Sequence, residues 1–366
     1  MANRVVIALI LIMNIFDSAI ADNWPQWRGP SLDGISQEKR LPLLWNRKRN
    51  ITWELALPSF SGSTPIVWGE SIFLNVADSS DLYLWCINRN NGELKWKKFL
   101  GSGNVKNRKH NMSSPSPVTD GKSVFVMTGT GVLKGFDFNG NPLWTRDIPK
   151  DYGQLGMNFG YGSSPLLYRE SLYIQVLHGM FTDDPSYVLR INSKNGQTIW
   201  KKERKTDAVH ESPDSYSTPT VVNTDRGTEL IVTGGDCVTG HNLENGKELW
   251  SFGTEKSFIK SQRKLSLIIL DGQVIFIDTF GDINSLDINT GSLRWQTQTI
   301  NQYIYESAFL LKSSRLVSDN EILFVSNNQN KFFAIDTKNG LIKWEQKVNS
   351  YLEPSIIENL IFTVSE

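Results

Sequence analysis

The stretch NNGELKW, Asn90 to Trp96, is a turn running into a strand that carries a tryptophan, and the chain repeats it. NGNPLW ends at Trp144, NGQTIW at Trp200, NGKELW at Trp250, TGSLRW at Trp295 and NGLIKW at Trp344. With Trp53 of ITWEL, seven tryptophans stand at intervals from 43 residues (Trp53 to Trp96) to 56 residues (Trp144 to Trp200). Working back from each tryptophan, the tenth residue is Cys86, Arg190, Gly240, Ser285 or Ala334, and Gly135 is nine before Trp144, a slot dominated by small residues. The eighth residue back is Asn88, Asn192, Asn242, Asp287 or Asp336, with Asp137 seven before Trp144. An Asn or Asp side chain accepts hydrogen bonds from backbone N–H groups just ahead of it, and the glycine that follows in every copy tolerates positive φ. The spacing therefore predicts a hairpin whose outgoing strand carries the tryptophan.

A second pattern fills each interval: a small residue, often followed by proline, then two apolar runs separated by a polar turn. It starts at Ser63, Pro115, Ser163, Ser217, Ser266, Arg315 and Glu353, giving seven copies. Proline lacks a ladder donor, so it fits a strand's first residue. Two hairpins per interval make four strands, and self-similarity at this period is the signature of a β-propeller. One tryptophan per unit is expected to fill the wedge between successive sheets, with its indole N–H on a backbone acceptor. The predicted fold is all-β: a single propeller over residues 51–366 with seven four-stranded blades, eight being the alternative, and a ring closed by strands from both ends of the chain. Residues 22–50 form an N-terminal segment that leads into it, and residues 24–45 are available to fill the closing blade if it is a strand short.

Residues 1–21 read differently. Arg4 supplies a positive start, Val5 to Phe16 is apolar except for Asn14, and Ala19-Ile20-Ala21 is a small-x-small site. This predicts a signal peptide cleaved near Ala21-Asp22, and a periplasmic or secreted protein with no transmembrane anchor. Lys and Arg number 38, as do Asp and Glu, so the chain lacks the basic excess of a nucleic-acid binder. Cys86 and Cys237 are expected as buried structural thiols, with no disulfide implied.

The repeat is plainest at Ala334-Ile335-Asp336, Gly340 and Trp344, and it resembles the tryptophan-docking motif of the PQQ-like propeller superfamily. The N-terminal NWPQWRGPSLDGIS (Asn23 to Ser36) is similar to the start of secreted PQQ-like propellers of planctomycetes, as are HNMSSPSPVTDG and ESPDSYSTP. The superfamily includes quinoprotein alcohol dehydrogenases and BamB, the propeller of the outer-membrane β-barrel assembly machinery. The resemblance implies either a binding scaffold or a cofactor enzyme. A quinoprotein would bring a quinone, a calcium ion, an Asp base and usually a vicinal Cys pair; this chain has no Cys-Cys. No P-loop, Gly-x-Ser-x-Gly or His-Glu-x-x-His stretch occurs either.

The expectation is thus an exported, monomeric scaffold with a protein partner on the propeller face, no catalytic residue and no cofactor. The alternatives are a funnel enzyme using PQQ with calcium, or a carbohydrate-active protein. Candidate ligand-binding residues are His110, Asn111, Tyr161, His178, Asp183, His210, Glu211 and Tyr216, all expected in connections where binding groups collect. His178 with Asp183 and Asp184, or His210 with Glu211 and Asp214, would be a metal set, but the spacings match no zinc or EF-hand pattern, so no metal is expected. His241 is read as lying inside a tryptophan-hairpin turn and is expected to be solvated. Trp53, Trp96, Trp144, Trp200, Trp250, Trp295 and Trp344 are the expected docking residues.

Overall fold

Each tryptophan hairpin caps its own turn. The Oδ1 of Asn88, Asp137, Asn192, Asn242, Asp287 and Asp336 accepts from the backbone N–H two residues on, at 2.8–3.0 Å. The turn glycine is left-handed every time, from Gly246 at φ 71° to Gly140 at φ 79°. The computed structural model describes residues 22–39, 41–106, 110–206, 208, 213–235, 237–253, 267–278, 282–299, 315–326, 331–348, 354–358 and 360–362. The expected signal peptide, residues 1–21, lies outside the described residues, as do His210 and Glu211.

The strands stack into seven sheets. A short N-terminal strand, β1 (Ile35–Ser36), precedes the first blade, which is β2 (Ile66–Trp68), β3 (Ser71–Asp78), β4 (Asp81–Asn88) and β5 (Leu94–Ser102). The second is β6 (Val118–Thr119), β7 (Ser123–Met127), β8 (Val132–Asp137) and β9 (Pro142–Asp147); the third is β10 (Leu166–Tyr168), β11 (Ser171–Val176), β12 (Tyr187–Asn192) and β13 (Thr198–Glu203). The fourth is β14 (Thr220–Thr224), β15 (Gly227–Gly234), β16 (Cys237–Asn242) and β17 (Glu248–Gly253); the fifth is β18 (Leu267–Leu270), β19 (Gln273–Ile277), β20 (Ile283–Asp287) and β21 (Leu293–Thr297). The sixth is β22 (Arg315–Ser318), β23 (Ile322–Ser326), β24 (Lys331–Asp336) and β25 (Ile342–Lys347); β26 (Ser355–Ile357) and β27 (Leu360–Phe362) follow. Six sheets are four-stranded meanders in chain order, and the seventh is β1-β26-β27, with β1 parallel to β26. The ring is therefore closed by both ends of the chain, but residues 35–36 do this. ITWEL, expected to join the closing blade as a strand, forms no ladder among the described residues.

The small slot and the tryptophan turn out to be one cross-strand pair. Cys86 faces Trp96, Gly135 faces Trp144, Arg190 faces Trp200, Gly240 faces Trp250, Ser285 faces Trp295 and Ala334 faces Trp344. A bulge follows that pair in each of the six four-stranded blades, tilting the outer strand toward its neighbour. The indole then lies on the turn glycine of the next blade: a Cβ on Gly92 would come within 2.6 Å of Trp53, on Gly196 within 2.8 Å of Trp144, and on Gly340 within 2.6 Å of Trp295. The indole N–H donates to the carbonyl just past the Asx residue, from Trp53 to Arg89, Trp96 to Phe138, Trp144 to Ser193, Trp200 to Leu243 and Trp295 to Thr337, at 2.7–3.3 Å. Trp250 lies on Gly291 but its N–H has no such bond. Trp344 is the exception to docking, since no turn glycine of the described residues covers it.

The residue before each proline supplies a second inter-blade tie. The N–H of Thr64 donates to Ser116 Oγ, that of Ser116 to Ser164 Oγ, and that of Ser164 to Thr218 Oγ1, at 2.9–3.0 Å. Proline leaves the preceding residue extended, so its hydroxyl and its N–H reach opposite neighbours around the hub. The N-terminal segment ties the other end of the inner strands. Trp24 bridges Val67 of β2, Thr119 of β6 donates to Pro25 O, Leu167 of β10 donates to Gln26 Oε1, and buried Arg28 donates to Leu316 O of β22. One helix, α1 (Ile148–Tyr152), was not expected; Asp147 caps it by accepting from Lys150 N–H. Cys86 is buried, which pushes its thiol pKa up, while Cys237 is half-buried because it opens β16 at the sheet end.

Candidate functional site: the loop face

Alternating strand directions put the first-to-second and third-to-fourth turns of every blade on one face. The second-to-third turns and the connections between blades lie on the other. That loop face receives the connections before β6, β10 and β14 and the long turn between β11 and β12, and these carry His110, Asn111, Tyr161, His178, Asp183 and Tyr216.

Three of these connections meet in an aromatic cluster. His110, Phe159 and Tyr216 are half-buried, with His110 5.9 Å from each of the other two rings and Phe159 6.3 Å from Tyr216. The Phe159 N–H donates to the Tyr216 hydroxyl at 3.2 Å, which fixes the phenol. Phe159 was not singled out from the sequence, where a lone Phe in a Gly-rich connection carries no signal. Asn111 sits under the cluster as a clamp: its carbonyl oxygen accepts from Ser113 N–H and Oγ–H, and its amide donates to Phe60 O. Tyr161 is not on the face at all; it is fully buried among Leu172, Ile174 and Tyr187, and burial drives its phenol pKa far up.

His178 is buried and both ring nitrogens are spent. Nδ1 accepts from Gly156 N–H at 3.1 Å, so the proton sits on Nε2, 3.3 Å from Pro185 O. Burial holds its pKa below the ordinary value, and the nearby Lys201 charge adds to this. Asp183 is exposed on the turn beyond, so His178 and Asp183 do not form a common ligand set. Asp214 has a role that sequence reading missed. It is 0% exposed, and its carboxylate accepts from Asn158 N–H at 2.7 Å, Gly179 N–H at 2.9 Å and Met180 N–H at 3.1 Å. Phe181 N–H donates to Gly156 O at 2.9 Å, so the turn is held from both sides. It presents Met180 and Phe181 to solvent, Phe181 being 66% exposed.

This surface is aromatic and apolar, held by backbone bonds, with its buried carboxylate committed to N–H donors. Among the described residues no group of three His, Cys, Asp or Glu side chains is arranged to hold a metal.

His241, expected to be solvated, is 2% exposed in β16. Its Nε2 is 2.8 Å from Thr239 Oγ1 and its Nδ1 is 3.3 Å from Gly246 O. It is cross-strand from Leu230 and follows the Gly240 bulge, inside the sheet stack rather than in the turn. Burial pushes its pKa down to about 4 from 6.5. The folded state therefore keeps it neutral while the unfolded chain protonates near pH 6.5. Its contribution to stability is complete above pH 6.5 and is lost as pH falls through about 4. That loss is on the order of 3 kcal/mol. Urea unfolding between pH 7 and pH 4 is expected to show this decline in the parent and a flatter profile in His241→Gln.

A family model described as outer membrane protein assembly factor BamB matches residues 43–160 and 178–366. The BamB of Yersinia pestis is 21% identical over 276 residues, 74% of this chain and 65% of its own. The chain spans less than two thirds of the length of the curated relatives it matches. Among solved structures, BamB from Moraxella catarrhalis aligns with a TM-score of 0.55 at 17% identity, covering 81% of this chain and 77% of its own. A europium-containing methanol dehydrogenase aligns with a TM-score of 0.61 at 12% identity, covering 93% and 81%. At these identities the structural likenesses carry the fold and nothing of the activity.

Proposed function

The chain belongs to the family described as outer membrane protein assembly factor BamB, and on that premise we propose that it is an exported protein-binding module of the cell envelope. The observation that carries this reading is the anchored pair Met180 and Phe181 beside the cluster of His110, Phe159 and Tyr216. Exposed aromatic and Met side chains on a backbone fixed in advance are what protein interfaces use as anchors. The partner is a protein of outer-membrane assembly, as the family description suggests, and the chain acts in the periplasm after cleavage near Ala21-Asp22. No helix among the described residues is long and apolar enough to cross a membrane.

Phe181→Asp places a charge in the proposed contact without touching the core. In a strain lacking the native protein, this variant is expected to accumulate normally and yet fail to restore the level of outer-membrane β-barrel proteins. Full restoration would overturn the reading. The oxidoreductase alternative has support from the fold only. Titration of the purified protein with PQQ and Ca²⁺ is expected to give no saturable quenching of tryptophan fluorescence; saturable, chelator-sensitive quenching would replace the scaffold with an enzyme.

A further inference from the structure

Arg204 follows β13 at the loop end of the third blade, where its backbone N–H donates to Ser186 O and its side chain turns inward toward the fourth blade. It is 1% exposed. Its Nη2 donates to Cys237 O at the start of β16, and neither Nε nor Nη1 has a hydrogen-bond partner among the described residues. Other arginines with little exposure are matched. Arg28 donates to Leu32 O, Asp33 O and Leu316 O, Arg146 pairs with Asp151, and Arg190 pairs with Glu244. A sealed guanidinium that meets one carbonyl, and no carboxylate among the described residues, carries a large electrostatic cost, because water is excluded and nothing answers the charge.

The turn beside it leaves room for an answer. Gly234 pairs with Cys237, so Gly235 opens a two-residue turn between β15 and β16, with φ 68°. A Cβ on Gly235 would stand 2.8 Å from Arg204 Nη1 and 3.3 Å from Thr206 Oγ1, and the next atom, Thr206 Cβ, is 3.6 Å away. The glycine thus keeps open a one-atom space at hydrogen-bonding distance from the unpartnered nitrogen. Thr206 is held in place by accepting from Ala208 N–H at 3.1 Å.

We propose that this space holds a chloride ion, bound by Arg204 Nη1 and lined by Thr206 and Gly235. The ligand is an anion, since water or any neutral group leaves the buried charge unanswered. It is monatomic, since the space is one atom wide and Arg204 is closed off from solvent. The ion pins the β15–β16 turn to the end of β13, at the root of the connection that carries Asp214 and Tyr216. This site is independent of the protein-binding reading, and either can fail without the other.

The test follows thermal unfolding of the full chain while chloride replaces gluconate at constant ionic strength. A saturable rise in Tm is expected, on the order of 3–4 °C at about a hundredfold over Kd, with bromide acting like chloride and sulfate giving none. Amide exchange at Gly235 and Cys237 is expected to slow over the same range. Arg204→Met is expected to fold, because an apolar side chain in place of a buried charge is commonly neutral or stabilising, and to lose the response. Gly235→Ala keeps the guanidinium but fills the space, and is expected to lose the response too. Crystals grown in bromide are expected to show an anomalous peak beside Arg204 Nη1. An equal rise with sulfate, a response retained by Arg204→Met, or no response in the parent would each overturn the proposal. So would a response that appears only in Asp207→Asn or Asp236→Asn, since the counter-ion would then be the chain's own carboxylate.

Discussion

Replacing Trp295 by alanine is expected to lower the unfolding free energy by about 3–5 kcal/mol, as removal of a buried tryptophan from a packed core does. Its ring fills the wedge between the fifth and sixth blades, in one cluster with Ile275 of the fifth and Leu316, Leu323 and Phe333 of the sixth, and it lies on Gly340 of the sixth blade's turn. Its N–H is shared between Thr337 O and Gln273 Oε1, both at 3.1 Å, so alanine leaves a cavity and takes the indole donor from both acceptors, of which Gln273 Oε1 keeps the Ser285 hydroxyl. Trp250→Ala is expected to fall in the same range through packing alone, since that ring is equally covered but lacks the bond. Trp344→Ala is expected to be milder, about 1–2 kcal/mol, because much of its surface is already in water. Urea denaturation of the three variants orders them, and a Trp344 variant as destabilised as the Trp295 variant would contradict the docking of each indole on the next blade's turn.

Asp214→Ala is expected to lose about 3 kcal/mol or more, since hydrogen bonds to a charged group are the strong ones and three backbone donors are orphaned together. Those donors belong to the connection at Asn158 and the turn at Gly179 and Met180. Its loss frees the segment that carries Phe181. Asp214→Asn keeps one acceptor oxygen but turns an amide N–H₂ toward the remaining donors, so it is expected to fall between parent and alanine. A faster-exchanging amide at Met180 in both variants is the local signature. Unchanged stability and unchanged exchange would remove Asp214 from the role of clamp.

The parts of this architecture that repeat were readable from the chain, because each rests on a local rule. Asn88, Gly92 and Trp96 specify turn, φ and outward ring within nine residues, and six copies of that rule compel a ring. The parts that occur once depended on contacts between distant segments. Gln26 reaching Leu167 and Arg28 reaching Leu316 have no local pattern. Neither does Asp214, which looked like a possible ligand and is in fact committed to backbone N–H groups. His241 was misjudged because its place beside a turn suggested water, whereas its register opposite Leu230 buries it. The Ser/Thr-Pro pairs were correctly placed at strand starts, yet the hydroxyl relay from Thr64 through Thr218 becomes visible only when the blades stand side by side.

The loop face as a protein-binding surface is tested most directly by a photo-crosslinking amino acid introduced at Phe181, compared with the same group at Asn195, exposed on the opposite face of the same blade. In living cells, illumination is expected to give a discrete protein adduct from position 181 that is absent from position 195 and lost in Asp214→Ala. Adducts from neither position, or the same adduct from both, would contradict the assignment of that face.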